Sequence, residues 1–284
     1  MKKDPLTPEF WREYAASLSG KEDARFTSPE FWNRVAETYD DLEVSPFYQK
    51  MVEEIIETMK IRGALRPDLR VFDVCCGPGN YALRFAPLVK EVVALDISPK
   101  MIEKCREKAK EAGVSNVRII LGDWFKFETE ETFDTVFVSM SPIIHHLDSI
   151  DRLLSLSRRF LVLVHWAGVR KNLLYARIYK EVFDRELVWK RPGIIVVFNY
   201  LYTLGYAGDI RFFTGYWERV RPVKKELQQI LWRLEREGII VTKEDQEKIL
   251  RILEEESQDG LVPSRTKVRI GFLFVDLSLR ALPT

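Results

Sequence analysis

The segment Val71-Phe-Asp73-Val-Cys75-Cys76-Gly77-Pro78-Gly79-Asn80-Tyr81 gathers residue types suited to holding a polar ligand. An acid closes an apolar run, two glycines follow, and a helical pattern begins. Such a turn presents backbone N–H groups at a helix start and lets the main chain approach a ligand above the carboxyl ends of a parallel sheet. The bland alternative is a plain strand-to-helix turn. Gly77-x-Gly79-x-x-Ala82, with Asp96 about 20 residues on, also meets the loose dinucleotide fingerprint, which is weak alone. Further along stand Gly122-Asp123-Trp124, Ser139-Met-Ser-Pro142 and the pair His145-His146, with His165 as the third histidine. The adjacent histidines are general-base candidates; as plain structure they would be surface or capping groups. Cys75 and Cys76 lack zinc-site spacing and read as small buried residues rather than metal or redox groups.

These residues need elements to position them. Arg70–Cys75, Glu91–Asp96, Val117–Leu121, Asp134–Met140 and Phe160–His165 are short apolar runs that read as strands. Helical patterns lie between them, through Tyr81, Phe85 and Leu88, and from Pro99 to Ala112. That alternation predicts a parallel sheet covered on both faces. Thr7-Pro-Glu-Phe-Trp11 recurs as Ser28-Pro-Glu-Phe-Trp32, each a helix start with a hydroxyl cap and proline behind it. Phe47–Met59 follows helical spacing. After Trp166 the pattern predicts a helix over 172–185, a strand over 210–217, charged helices over 224–237 and 242–257, and a long strand over 266–277. The stretch to Tyr206 is ambiguous. The division expected is an N-terminal helical cap, 1–60, and one domain, 61–284, elaborated at about 167–260.

Composition excludes several classes. The chain has 284 residues, 46% hydrophobic and 31% charged, with 44 basic against 43 acidic residues, a net +1. That is a globular chain without the overall basic charge of a nonspecific nucleic-acid binder. Three cysteines are too few for a disulfide framework, and the charged start does not read as a signal peptide, so a cytoplasmic location is expected. The longest uncharged run, Pro192–Gly208, is 17 residues, short of the roughly 20 of a membrane span, and reads as buried. Scarce Asn and Gln beside abundant Lys and Glu are a thermophile bias.

The motifs taken together resemble the class I S-adenosylmethionine-dependent methyltransferases, over roughly residues 30–166. Asp73, Gly77 and Gly79 match that family's first motif, with Cys75 in place of its first glycine. Such a replacement is tolerable if the position is not at positive φ. Asp96 stands for the second motif, Gly122-Asp123-Trp124 for the third, and the strand ending at Ser139 for the fourth. The resemblance implies a Rossmann-like, seven-stranded, mostly parallel sheet with an antiparallel last strand, and S-adenosylmethionine as cofactor. It implies that Cys75, Gly77, Pro78 and Gly79 line the methionine part and Asp73 lies near its ammonium. Asp96 would take the ribose hydroxyls, Ile97 and Met101 would pack on the adenine, Asp123 would receive its amine beside Trp124, and Ser139 would border the site. Phe31–Asp40 resembles a helix that covers the cofactor, Tyr39 first and Trp32 second.

For the acceptor the expectation is a small molecule that is apolar, aromatic or anionic. Ser139-Met-Ser-Pro142 is not the tetrad of enzymes that methylate amino groups of bases. Eight aromatic residues between Phe198 and Trp217 suit either an acceptor pocket or a core beneath the C-terminal helices. Arg158–Arg191 carries nine basic and three acidic residues, net +6, so a solvated face, an anionic acceptor or an RNA surface all fit. The rival functions are an RNA or protein methyltransferase, a non-catalytic cofactor-binding protein and a nicotinamide-dependent oxidoreductase.

Overall fold

The computed structural model describes residues 4–18, 28–37, 39, 45–187 and 193–280. Thr38, Asp40, Lys190 and Arg191, which belong to motifs or runs noted above, lie outside them. In chain order the elements begin with α1 (Pro8–Leu18), α2 (Pro29–Ala36), α3 (Pro46–Ile61), β1 (Arg70–Val74), α4 (Ala82–Phe85) and β2 (Glu91–Asp96). Next come α5 (Pro99–Glu111), β3 (Val117–Leu121), β4 (Phe133–Ser139), α6 (Leu147–Leu156), β5 (Ser157–Asn172), α7 (Leu173–Phe183) and α8 (Ile194–Thr203). β6 (Tyr206–Pro222), α9 (Val223–Arg236), α10 (Lys243–Glu256) and β7 (Leu261–Arg280) complete it.

The seven strands form one sheet in the order β3-β2-β1-β4-β5-β7-β6. β1 to β5 pair in parallel, while β7 runs antiparallel to both β5 and β6. Because β1 lies between β2 and β4, their carboxyl ends meet in a crevice where the chain leaves in two directions, the usual place for a ligand in an open α/β sheet. The central strands are buried on both faces, which explains why they read as continuous apolar runs. Met51, Ile55 and Met59 of α3 pack with Phe85 of α4 on one face; Ile150 and Leu153 of α6 pack with Tyr200 of α8 on the other. A third, smaller core joins α7, α9 and α10 over Val262 of β7. Arg12 holds α1 to the α6–α8 side, bonding Asp148 at 2.7 Å together with Asp151 and Tyr200.

Several expected boundaries move. β5 continues seven residues past His165: after a register break at Trp166–Arg170, with Gly168 at φ 83°, the chain resumes pairing with β7. Such a bulge lets a strand bend without leaving its partner. β6 is likewise longer than 210–217, because β7 satisfies its backbone along the whole length. The helix through Leu88 is shorter: α4 stops at Phe85 and a 3-10 turn, Ala86–Leu88, contains Pro87, which has no N–H to donate. The ambiguous uncharged run is α8, with Ile194, Val197, Tyr200 and Leu201 buried. Among the described residues no helix is long and apolar enough to cross a membrane.

Of the eight clustered aromatics, Tyr200, Phe213 and Trp217 are buried, while Phe198 and Tyr206 are partly buried against the core. Tyr202, Phe212 and Tyr216 are exposed. The cluster is therefore largely core on both sheet faces. The basic run is scattered as well: Arg158 pairs with Asp134, Arg159 with Asp276, and Arg177 with Glu181, Glu255 and Glu256.

Gly215 of β6 lies under the Phe47 ring of α3, where a Cβ would stand 2.1 Å from a ring carbon. Gly215→Ala should therefore cost about 1–3 kcal/mol, a Tm loss of several degrees in thermal denaturation. An unchanged Tm would mean that α3 does not lie against β6.

Candidate functional site

At the crevice above β1, β2 and β4 lies an open void of about 590 Å³ counted out to its mouth. Cys75 and Gly77 form its floor, Asp96, Ile97 and Met101 one wall, Gly122 to Phe125 the next, and Ser139 to Ile143 the far one. Trp32 and Tyr39 come over it from the N-terminal helices.

Asp96 is the keystone of this geometry. It ends β2, only 7% exposed, and its two oxygens accept separate main-chain bonds: from Gly77 N–H at 2.9 Å and from Ser98 N–H at 2.9 Å. Burial raises its pKa, and the N–H groups of Ser98, Gly77 and Ile97 pull it back down. Each oxygen keeps a lone-pair direction for a further donor at the cleft. Ser98 then caps α5 by accepting Met101 N–H at 3.1 Å, which sets Ile97 and Met101 against the opening.

The Gly122-Asp123-Trp124 turn is held from both sides. Gly122 N–H donates to Asp96 O at 2.8 Å. Asp123 Oδ1 accepts Phe125 N–H at 3.0 Å, so this residue forms its turn and also borders the cleft. Trp124 is 3% exposed; its indole donates to Ser149 Oγ at 3.1 Å, and Arg152 lies over its ring at 4.3 Å. Its position is therefore fixed before any ligand arrives.

α2 is tied down by a residue the motifs did not single out. Asn33 Oδ1 accepts Ser98 Oγ–H at 2.7 Å and Lys100 N–H at 3.2 Å, linking the covering helix to the start of α5. Lys100 also pairs with Glu37 at 2.8 Å. Tyr39 lies above the glycine turn: a Cβ on Gly77 would come 3.8 Å from its ring.

Residues 71–162 match the family described as a methyltransferase domain. Over that stretch, about a third of its length, the chain is similar to a methyltransferase domain. Over 130 residues it is 32% identical to a probable cobalt-precorrin-6B C(15)-methyltransferase (decarboxylating) of Thermoplasma acidophilum, an overlap of 42% of this chain and 63% of that one. Over 110 residues it is 31% identical to YcgJ of Bacillus subtilis, an uncharacterized methyltransferase, covering 36% of this chain and 43% of that one. The chain thus spans less than two thirds of the length of these curated relatives. The solved N-methyltransferase NodS of Bradyrhizobium japonicum, in complex with S-adenosyl-L-homocysteine, matches in fold. Its TM-score is 0.51 at 13% identity, over 86% of this chain and 97% of that one.

Two buried features of the site bear on whether its residues fit S-adenosylmethionine. Asp73 is 2% exposed, and among the described residues no hydrogen bond reaches its Oδ2. Burial drives its pKa well up, and the neighbouring Cys105 and Asp96 add to that. A buried carboxylate oxygen without a donor is costly unless a cation or donor completes it, and the cofactor's ammonium would do so. Cys75 is at φ 59°, the left-handed region, so the condition for an easy replacement of the first glycine is not met. Met140, at the end of β4, is at φ 55°. Both side chains border the cleft, so two of the four described non-glycine residues at positive φ stand at the site.

Of the expected residues, Tyr39, Cys75, Gly77, Asp96, Ile97, Met101, Asp123, Trp124 and Ser139 line one void, with Trp32. Asp73, Pro78 and Gly79 are buried behind it; a Cβ at Gly79 would stand 2.6 Å from Cys105 Sγ. His145 and His146, expected as bases, are not among the residues that line it. The turn after Pro142 carries them past the wall, His145 edge-on to the buried His165 at 4.9 Å and His146 against Phe125 at 5.3 Å. Phe125 and the Met140–Ile143 wall were not singled out as site residues; only their place after the third and fourth motifs could have signalled them.

The strain at Cys75 yields a test. Left-handed backbone costs a non-glycine residue about 1–2 kcal/mol, so Cys75→Gly should keep or raise Tm. Cys75→Val, β-branched at the same φ, should lower it clearly. Equal stability of the two would mean that the turn is not left-handed.

Proposed function

We propose that this protein is an S-adenosylmethionine-dependent methyltransferase acting on a small-molecule acceptor. The observation that carries the reading is the convergence of Asp96, Asp123-Trp124, Ile97 and Met101 with the Gly77 turn on one cleft, backed by the uncompensated Asp73 oxygen. When bound, the cofactor supplies an electrophilic sulfonium methyl group. In this reading the chain's own residues bind and orient. Asp96 accepts the ribose hydroxyls, a carboxylate being suited to two donors and leaving no room for a 2′-phosphate. Ile97 and Met101 hold the adenine edge-to-wall, Asp123 accepts its amine, and Asp73 faces the ammonium. Tyr39 and Trp32 cover the donor and exclude water.

In-line displacement needs alignment above all, and a base only where the acceptor arrives protonated. For that case His145 and His146 are the proposed bases, acting from beyond Pro142 and Ile143. The scattering and pairing of the Arg158–Arg191 charges speaks for a small acceptor over RNA.

Calorimetry with S-adenosylmethionine, S-adenosylhomocysteine and NAD on one sample tests the reading. Both sulfur compounds should bind; binding of NAD alone would sink it. Asp96→Ala removes two charge-assisted hydrogen bonds and should weaken binding about 100-fold. An unchanged affinity would mean the ribose assignment is wrong.

Asp73→Asn should raise Tm and weaken cofactor binding together. The raised folded-state pKa makes ionised Asp73 a burden on the apo fold. The burden builds as pH rises from the unfolded carboxylate value, about 4, to the folded one, and persists above it. The Tm gain of Asp73→Asn should thus grow as pH rises above about 4 and shrink on acidification. A Tm loss at neutral pH would show that Asp73 is already compensated.

A further inference from the structure

The last three strands of the sheet outrun the others. Ser139, at the cleft, pairs with Val164 of β5, yet β5 continues through its bulge to Asn172 beside β7, and β7 stays paired with β6 as far as Pro222. The projecting ribbon has two faces. One carries Trp217 and Val268 into the main core and Val262 into the small core of α7, α9 and α10. On the other, the helix layer stops short: Ile194, the first residue of α8, stands over Gly271, where a Cβ would lie 2.5 Å from it. Beyond Gly271 the register decides what this face presents. β5 contributes Lys171, and β7 contributes Arg265, Lys267 and Arg269, all exposed. β6 contributes Phe212 and Tyr216 with Thr214 between them, exposed as well.

The charge on this face is one-sided. Lys171 and Lys267 are register partners on neighbouring strands, and like charges placed opposite each other destabilise a ladder. Glu218, the acid that the register puts on this face, pairs with Arg265 at 2.7 Å. Among the described residues no carboxylate pairs with Lys171, Lys267 or Arg269. The arrangement is also linear. Side chains on one face of a strand recur every second residue, about 7 Å apart, so Arg265, Lys267 and Arg269 form a row along β7. Phe212 and Tyr216, 46% and 39% exposed, form a second row on β6. Arg265 lies over the Tyr216 ring at 3.7 Å and widens it into a platform. A row of cations beside a row of rings fits a chain with regularly spaced anions along one side and flat rings along the other. An acidic peptide would answer the cations and leave the rings unused.

We propose that this ribbon face docks single-stranded RNA. Phosphates lie along Lys171, Lys267 and Arg269, bases stack on Phe212 and on the Tyr216–Arg265 platform, and the Thr214 hydroxyl between the rings meets a ribose 2′-OH. The surface is separate from the donor cleft and does not rest on how that cleft is read.

The test is fluorescence anisotropy on the whole chain, without cofactor, using a short labelled RNA single strand. DNA of the same sequence and polyglutamate serve as competitors. Binding should saturate at low salt and weaken as salt rises, with a slope of about −2 in log K against log salt, the value for three phosphate contacts on a single strand. Combining Lys171→Gln with Lys267→Gln removes two of those contacts and should bring the slope to about −0.7. The pair of substitutions also relieves a like-charge contact, so Tm should not fall. Phe212→Ala removes a stacking surface and should weaken binding about tenfold while keeping the slope. Calorimetry should show S-adenosylhomocysteine affinity unchanged in each variant. No saturable RNA binding at low salt, an unchanged slope in the lysine variant, or unchanged affinity in Phe212→Ala would overturn the proposal. So would displacement of the RNA by DNA or polyglutamate as readily as by unlabelled RNA. A lower Tm in the lysine variant would count against it too, since the lysines would then be answered within the fold. Failure of S-adenosylhomocysteine to bind the unaltered chain would count against the cleft reading alone.

Discussion

Two loops that leave neighbouring strands have no reason to keep a fixed distance unless something spans them. Here the span is the Asp96 carboxylate, which accepts the Gly77 N–H from the turn after β1 and the Ser98 N–H from its own turn. Its main-chain carbonyl accepts Gly122 N–H from the turn after β3. Three turns are thereby referenced to one buried residue, whose charged form is disfavoured by burial and supported by backbone dipoles. From that anchor the order of support runs outward. Ser98 caps α5 and bonds Asn33, Asn33 holds α2, and α2 brings Trp32 over the cleft.

The donor cleft is also where the chain departs from its easiest conformations. Cys75 and Met140 adopt left-handed backbone at the ends of β1 and β4, and Asp73 keeps a buried oxygen without a donor. Asn172, by contrast, is fully engaged: it caps α7 through Tyr175 N–H and donates to Ser264 and Thr266. Local strain at a cleft is expected where a fold is shaped for a ligand at some expense of its own stability.

Much of the central sheet was legible because its inner parallel strands are buried on both faces and leave continuous apolar runs; Glu91–Asp96 has the expected bounds, and so does the more exposed edge strand Val117–Leu121. Strand ends were less so. Arg170–Asn172 and Val220–Pro222 look like loop or helix flanks in sequence, and they are strand because β7 lies alongside to take their hydrogen bonds. The site followed the same division. Acids after apolar runs marked Asp96 and Asp123, whereas Asn33 carried no local signal, since its role depends on α2 landing beside Ser98, 65 positions away.

By itself the sequence determined the periodicities, the caps and the glycine turn, hence the alternating strands and helices and a ligand site at their carboxyl ends. Those features are written in neighbouring residues, within reach of one turn or one strand. It could not say that Cys75 is left-handed, that His145 and His146 are not among the residues lining the cleft, or that arginines of a basic stretch pair with acids from distant elements. Those outcomes depend on which distant elements share a face.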